Sequence, residues 1–355
     1  MKTIGSDCYN VQIMSSLFDP DRSAERLPVS LITGFLGSGK TTLLNRLVQR
    51  PELADSAVII NEFGEVALDH LLVAPVDGET VVLASGCLCC AVRGDLQDTL
   101  RRLLLERERG EVPAFTRILI ETSGLADPAP VAQLLLNNPL LGTDLRLDAI
   151  VATIDAVNAS ASLDQHWEAR KQAALADRLL ITKTDIAAVE AVEPLILSLR
   201  QLNPAAAIHM AVDGEIDPAL LFGVGPADPT RQSPDFAKWL GASTISGAMS
   251  GTDHAHHHEV QSLCLTADAP LDWARFHDWL GGLRIAYGDK LLRVKGVLNV
   301  AGEDGPIIVH GVQHIFHPPV TLPRWPDDDR RSRLVLITRE LDRQFIEESW
   351  QFTCL

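Results

Sequence analysis

A glycine-rich stretch that ends in a lysine and two threonines carries the clearest chemistry in this chain of 355 residues. It lies between an apolar run, Leu27 to Thr33, and a helical pattern of leucines. A glycine-rich turn before a helix lets successive backbone N–H groups face phosphate oxygens. In such a loop Lys40 reaches the β- and γ-phosphates, and the Thr41 hydroxyl binds Mg²⁺. We therefore predict a nucleotide site formed by Gly34, Gly37, Ser38, Gly39, Lys40, Thr41 and Thr42.

Three cysteines within four residues form a second chemical motif, Cys87, Cys89 and Cys90. This spacing is poor for a disulfide framework and good for a metal. Three thiolates suit Zn²⁺ or a similar ion, and Glu65, water or a client group could supply the fourth ligand. Three strong ligands with one exchangeable position favour metal delivery. A structural zinc site and buried thiols without metal remain as alternatives.

Carboxylates and a glycine follow two of the predicted strands. Glu62 and Glu65 follow the apolar run Ala57–Ile60, and Glu121 ends the run from Arg117. Ligands of open parallel sheets bind at such strand ends. Either Glu121 or Glu62 is expected to position the magnesium ion or the attacking water. The Gly124 N–H is expected to contact the γ-phosphate.

A base-recognition motif is predicted at Thr182-Lys183-Thr184-Asp185, after another apolar strand. A carboxylate at Asp185 can accept hydrogen bonds from N1–H and the 2-amino group of guanine, whereas adenine presents an acceptor at N1. The methylenes of Lys183 can lie along the purine ring. We therefore expect guanine to be preferred, although Thr182 stands where guanine-binding motifs usually carry asparagine.

The elements that must position these residues alternate between strand and helix, with the phosphate loop first. This order predicts an α/β fold, a P-loop NTPase with a doubly wound, mostly parallel sheet, and a smaller α+β domain at the C-terminus. The predicted strands of the first domain are Leu27–Thr33, Ala57–Ile60, Val81–Ala84, Arg117–Glu121, Leu147–Asp155, Arg178–Ile181 and Ala206–Val212. Those of the second are Leu291–Val300, Pro306–His317 and Arg333–Thr338, with helices at Trp273–Leu283 and Leu341–Trp350.

Composition divides the chain and excludes several classes of protein. Residues 223–259 are rich in Pro, Gly, Ser and Thr, and they end in the histidine cluster His254–His258. This cluster is either an accessory metal store or an incidental part of a linker. The net charge of −16 argues against a nucleic-acid partner. No apolar run is long enough to span a membrane, and no signal peptide is recognised, so we expect a cytoplasmic protein.

The remaining histidines and cysteines are expected to be structural or incidental. His310, His314 and His317 fall in one predicted strand and are expected at the surface. Cys264 is expected to be a buried strand residue. Cys8 and Cys354 are expected in terminal tails.

Together these motifs resemble the CobW-like family of P-loop GTPases and metallochaperones. The resemblance rests on Gly34–Thr42, Asn61–Glu65, Gly86–Cys90, Glu121–Pro128 and Thr182–Asp185, and extends to Lys295–Leu298, Gly311–His314 and Leu334–Ile337. It implies GTP hydrolysis coupled to the handling of zinc, cobalt or other divalent ions. The expected organisation is a flexible leader at 1–26, a GTPase domain at 27–222, a linker at 223–259 and a C-terminal domain at 260–355.

Three functions are compatible with these residues. The first is a GTP-hydrolysing metallochaperone that uses GTP, Mg²⁺ and Zn²⁺ or Co²⁺ and delivers the metal to a client protein. The second is a phosphate-loop kinase acting on a small molecule, which the cysteines and Asp185 disfavour. The third is a non-enzymatic zinc buffer or sensor whose nucleotide site modulates partner binding. The sequence leaves the oligomeric state open, with a homo-oligomer as one alternative.

Overall fold

The fold is described from a computed structural model, which defines residues 26–61, 81–85, 92–223, 260–325 and 328–355. In these residues the chain forms two sheets, each with its own helices. The first sheet is entirely parallel, with the strand order β3-β2-β4-β1-β5-β6-β7. Its strands are β1 (Leu27–Gly34), β2 (Ser56–Asn61), β3 (Val81–Ser85), β4 (Arg117–Thr122), β5 (Leu145–Asp155), β6 (Arg178–Thr182) and β7 (Ala207–Ala211). The predicted parallel doubly wound sheet is thereby confirmed.

Apolar side chains on both faces of this sheet explain why helices cover it from two sides. Leu31 of β1 packs in one core cluster, and its neighbour Ile32 packs in another. Successive strand residues point to opposite faces, so a strand that is apolar throughout needs two covers. The helices of this part are α1 (Lys40–Val48), α2 (Val92–Glu108), α3 (Ala129–Asn137), α4 (Ala159–Gln165), α5 (Trp167–Leu175) and α6 (Val189–Leu202).

The second sheet is antiparallel and has the order β11-β10-β9-β13-β8, with β12 paired to β10. Its strands are β8 (Val260–Ala267), β9 (Leu291–Leu298), β10 (Ile307–Val312), β11 (Ile315–Phe316), β12 (Val320–Thr321) and β13 (Ser332–Arg339). Two helices, α7 (Trp273–Tyr287) and α8 (Arg343–Cys354), contact each other and this sheet. This arrangement is the predicted α+β domain.

Three sequence expectations in this second part are wrong. The predicted strand Pro306–His317 is a hairpin, because Gln313 adopts a left-handed conformation with φ of +53° that reverses the chain between β10 and β11. His310 is buried, whereas His314 is exposed as expected. Cys354 is a buried residue of α8 rather than part of a tail, and burial raises the pKa of its thiol to about 12.

The second sheet packs on the helical layer of the first domain through a buried charge cluster. Asp177, between α5 and β6, pairs with Arg293 and with Lys295, whose Nζ lies 2.7 Å from its carboxylate. Arg293 also contacts the His310 ring at 2.6 Å. Burial alone would raise the pKa of Asp177, but the positive charges of Arg293 and Lys295 hold it well below its usual value. Burial lowers the pKa of Lys295 to about 7.

The stacked rings of His310 and His317 extend this charge cluster, with centroids 4.5 Å apart. Burial lowers the pKa of His317 to about 4 and that of His310 well below its usual value, with Arg293 acting in the same direction. Both rings are therefore neutral at physiological pH.

None of the described helices has the length and apolar character needed to cross a membrane.

Candidate functional site

The phosphate loop connects the end of β1 to the start of α1, as the sequence predicts. Gly34 has φ of +141°, and a Cβ there would lie 2.3 Å from the Thr153 hydroxyl, so no larger residue fits. The Ser38 hydroxyl lies 2.6 Å from the same Thr153 oxygen. Thr182 donates its hydroxyl to the Ser38 carbonyl at 2.8 Å. The loop is thus fixed from beneath by β5 and β6.

A cavity of about 380 Å³ lies above this loop, at the carboxyl edge of the sheet. Its lining brings together predicted residues from three separate segments of the chain. The predicted residues among them are Gly37, Gly39, Lys40, Thr41, Thr42, Glu121, Gly124 and Lys183. Ser38 lies buried beneath the loop.

Hard oxygen donors lie side by side in this cavity. The Thr41 hydroxyl donates to Glu121 Oε1 at 2.8 Å. Glu121 is almost fully buried at the end of β4, which pairs with β1 in parallel register. A hydroxyl and a carboxylate are the ligand types that Mg²⁺ prefers, so these two residues fit such an ion. Lys40 is the first residue of α1, and its Nζ donates to the Gly34 carbonyl at 3.0 Å.

Ser123 is a polar lining residue that sequence reasoning missed. Its hydroxyl is buried and has no hydrogen-bond partner in the described part of the chain. A buried hydroxyl without a partner costs free energy, which a bound oxygen-rich ligand would recover. The residue follows directly after β4, which is the one sequence signal that could have identified it.

The loop that is predicted to recognise the base begins where β6 ends. Lys183 has a left-handed φ of +58°, and its Nζ donates to Asp155 Oδ2 at 2.8 Å. Burial would raise the pKa of Asp155, but hydrogen bonds from Lys183, Asn158 and the Val157 N–H together lower it. Asp155 therefore stays charged and orients the lysine. Asp185 is exposed two residues further on and is not among the residues that line the described cavity.

The predicted metal motif and its predicted carboxylates lie outside the described residues. This applies to Cys87, Cys89, Cys90, Glu62 and Glu65, and also to His254–His258. The strands that precede the motif are described, however. Asn61 of β2 pairs with Ser85 of β3 on one side and with Thr122 of β4 on the other. Strands β2, β3 and β4, which precede residues 62, 86 and 123, therefore end at the same edge of the sheet.

Comparison with known proteins identifies the class to which this fold and site belong. The CobW/HypB/UreG nucleotide-binding domain matches residues 28–210, and the cobalamin synthesis protein CobW C-terminal domain matches residues 260–353. The chain belongs to this family.

The relatives of this chain match it over most of its length. The zinc chaperone YjiA of Escherichia coli K12 is 32% identical over 329 residues, covering 91% of this chain and 98% of that protein. The zinc-regulated GTPase metalloprotein activator 1 of Saccharomyces cerevisiae is 28% identical, covering 91% of this chain and 82% of that protein. The crystal structure of the Zn(II)-bound YjiA GTPase from E. coli superposes with a TM-score of 0.69 at 28% identity, covering 92% of this chain and 99% of that one.

Proposed function

We propose that this protein is a GTP-hydrolysing metallochaperone. It binds Zn²⁺, or a similar ion such as Co²⁺, at Cys87, Cys89 and Cys90, and it delivers the ion to a client protein that requires metal. The observation that carries the proposal is the shared sheet edge of Asn61, Ser85 and Thr122. The cysteine segment follows β3 and the γ-phosphate segment follows β4, and the strand between them, β2, pairs with both. The names of the zinc-chaperone and GTPase relatives support the same function.

The cavity residues have distinct roles in the proposed hydrolysis. Thr41 and Glu121 would hold Mg²⁺, which neutralises charge on the phosphates when bound. Lys40 stabilises the charge that develops on the transferred phosphoryl group, and the Gly124 N–H donates to a γ-phosphate oxygen. Glu62 or Glu121 orients the attacking water. Lys183 and Asp185 recognise guanine.

Metal affinity should depend on the bound nucleotide. A γ-phosphate can order the segments around Glu65 and Gly124 and release them after hydrolysis. We expect Zn²⁺ to bind more weakly in the GDP state, by a coupling free energy of about 1–3 kcal/mol, or roughly 5- to 150-fold. By reciprocity, Zn²⁺ must change nucleotide affinity by the same factor.

The test is competition for Zn²⁺ with a chromophoric chelator, in the presence of GDP or a non-hydrolysable GTP analogue. Replacing Cys87, Cys89 and Cys90 by serine should abolish the tight site. Cys264→Ser, in β8 of the second sheet, is the matched control and should retain it. Equal zinc affinities in the two nucleotide states would contradict delivery and favour a structural zinc site.

Turnover measurements separate the other functions. Negligible GTP hydrolysis at saturating GTP and zinc would favour a zinc buffer or sensor. Rapid phosphoryl transfer to a small molecule, without an effect of zinc, would favour a kinase. Replacing the histidines at 254 and 256–258 should lower total metal capacity and leave the tightest site intact.

A further inference from the structure

The segment Gly124–Asp127, here named the phosphate-facing segment, is held between two elements. On one side it lies against the phosphate loop. A Cβ built on Gly124 would lie only 2.8 Å from the Leu36 backbone nitrogen. The backbone of this segment therefore lies in van der Waals contact with the backbone of the phosphate loop.

On its other side the segment is held by the side chains of helix α5. The Gln172 amide donates to the Gly124 carbonyl at 3.1 Å and to the Ala126 carbonyl at 3.0 Å. Lys171 Nζ contacts Asp127 Oδ2 at 2.6 Å. Helix α5 thus fixes three of the four residues of the segment.

Gln172 is suited to this task because it is almost fully buried, with 1% of its surface exposed. Its side-chain oxygen has no hydrogen-bond partner in the part of the chain that the structure describes. Both of its hydrogen bonds are made by the NH₂ group, and both go to backbone carbonyls of the phosphate-facing segment. Burying an amide whose oxygen has no hydrogen-bond partner costs free energy. A residue that served only to fill space in the core would not need an amide at this position.

The helix that carries Gln172 is anchored at its far end. Asn203 donates to the carbonyls of Ala173 at 2.9 Å, Ala174 at 3.1 Å and Ala176 at 2.9 Å. Arg293 of the second sheet donates to the Leu175 carbonyl. Gln172 therefore extends from a fixed support, which is what precise placement of a neighbouring peptide requires.

We propose that Gln172 is a positioning residue for GTP hydrolysis, assisted by Lys171. By holding the carbonyls of Gly124 and Ala126, it fixes the peptide planes that follow these two residues, and it thereby restrains Gly124, whose N–H is expected to donate to the γ-phosphate. This inference rests on the proposed GTPase function. It predicts that Gln172 affects states that contain a γ-phosphate and hardly affects GDP binding, because GDP does not reach the segment.

The test compares Gln172→Met with Gln133→Met. Both variants replace a buried glutamine by an apolar side chain of similar size, and Gln133 of α3 donates to Gln313 in the hairpin of the second sheet. Because small misplacements of reacting groups have large effects, Gln172→Met should lower kcat about 10- to 100-fold. It should also weaken binding of a non-hydrolysable GTP analogue, while GDP affinity changes less than about threefold. Gln133→Met should reduce stability but keep kcat within about threefold of the parent.

Several results would decide the question. Equal losses of kcat in the two variants at equal loss of stability, or a parallel loss of GDP affinity, would overturn the positioning role. Absence of turnover in the parent protein would instead contradict the proposed function, and the analogue-to-GDP affinity ratio would then still test Gln172. If Gln172→Met does not fold, Lys171→Met at the partly exposed ion pair replaces it. That variant should lower the same affinity ratio, and an unchanged ratio would overturn the proposal.

Discussion

Single hydrogen bonds connect the motifs of the nucleotide site to one another. The Thr41–Glu121 bond joins α1 to β4, and the Thr182–Ser38 bond joins the base-recognition loop to the phosphate loop. That these motif residues lie close together was predictable from the sequence, because each motif follows an apolar strand in a recognisable spacing. Gln172 and Lys171 were not, because they lie in a helix without a motif and act on a segment more than forty residues earlier.

Removing the Thr41 hydroxyl should weaken magnesium binding in the nucleotide complex. Thr41→Val keeps the shape of the side chain and removes the oxygen that contacts Glu121. We expect the apparent Mg²⁺ affinity of the GTP-bound protein to fall about 10- to 100-fold, as for loss of a supporting ligand. A magnesium titration followed by nucleotide fluorescence measures it. Thr116→Val, at an exposed threonine that donates to Asp55, is the control and should leave the affinity unchanged.

Changing Asp185 should change base preference. In Asp185→Asn the amide can no longer accept from two guanine donors, and it can donate to the 2-carbonyl of xanthine. Since hydrogen bonds to charged groups contribute about 1.5–3 kcal/mol, GTP affinity should fall about 10- to 150-fold while xanthosine triphosphate binding improves. Glu190→Gln, exposed at the start of α6, should change neither affinity. Equal affinities for ATP and GTP in the parent protein would remove the basis for this assignment.

At the scale of elements, periodicity predicted the strands of the first sheet well and the second sheet less well. Buried parallel strands such as β4 are continuous apolar runs between polar loops, so they stand out in the sequence. The β10–β11 hairpin does not, because Gln313 at its turn is neither glycine nor asparagine. His310 was expected at the surface because histidine is polar. Its burial depends on Asp177 and Arg293, which belong to distant parts of the chain.

The α7–α8 pair should depend on its aromatic core. Trp350 lies 5.1 Å from Trp279 and 6.3 Å from Phe276 between ring centroids, and it is 2% exposed. Trp350→Ala should lower the free energy of unfolding by about 3–5 kcal/mol, because it creates a large cavity. Denaturant unfolding measures the loss. Phe352→Ala, on the same helix and 92% exposed, should change stability by less than about 0.5 kcal/mol.

At the scale of the whole molecule, the two sheets share a helical layer. Helices α3, α5 and α6 belong to the first domain and also contact strands of the second sheet. Gln133 of α3 donates to Gln313 in the hairpin turn at 2.6 Å. The charge cluster around Asp177 lies in this same interface. The sequence could not predict such an interface, because its residues belong to segments that no local pattern connects.

This interface should make stability depend on pH. The pKa of His317 is about 4 in the folded protein and near 6.5 when the chain is unfolded. The unfolded state therefore binds more protons between these values, so stability falls as the pH decreases from 6.5 toward 4. His310, next to Arg293 and Lys295, acts in the same direction. Between pH 7 and 5 we expect a loss of about 1–2 kcal/mol from His317.

Urea unfolding at several pH values tests this dependence. His317→Asn should flatten the decrease between pH 7 and 5. His277→Asn, at an exposed histidine of α7, should keep the slope of the parent protein. An unchanged slope in His317→Asn would show that the ring does not contribute.

The shared interface also has a consequence for biosynthesis. The hydrophobic cluster of the nucleotide-binding domain that contains Leu31 also includes Leu292, Val312 and Ile337, which the ribosome adds after that domain. The nucleotide-binding domain therefore leaves the ribosome with part of its hydrophobic core exposed to water. This core is completed only after more than a hundred further residues have been synthesised. Nascent chains arrested before and after β13 should differ in nucleotide binding, with full affinity only in the longer ones. Such a delay would keep an unfinished protein from binding its nucleotide before the half that supports helix α5 exists.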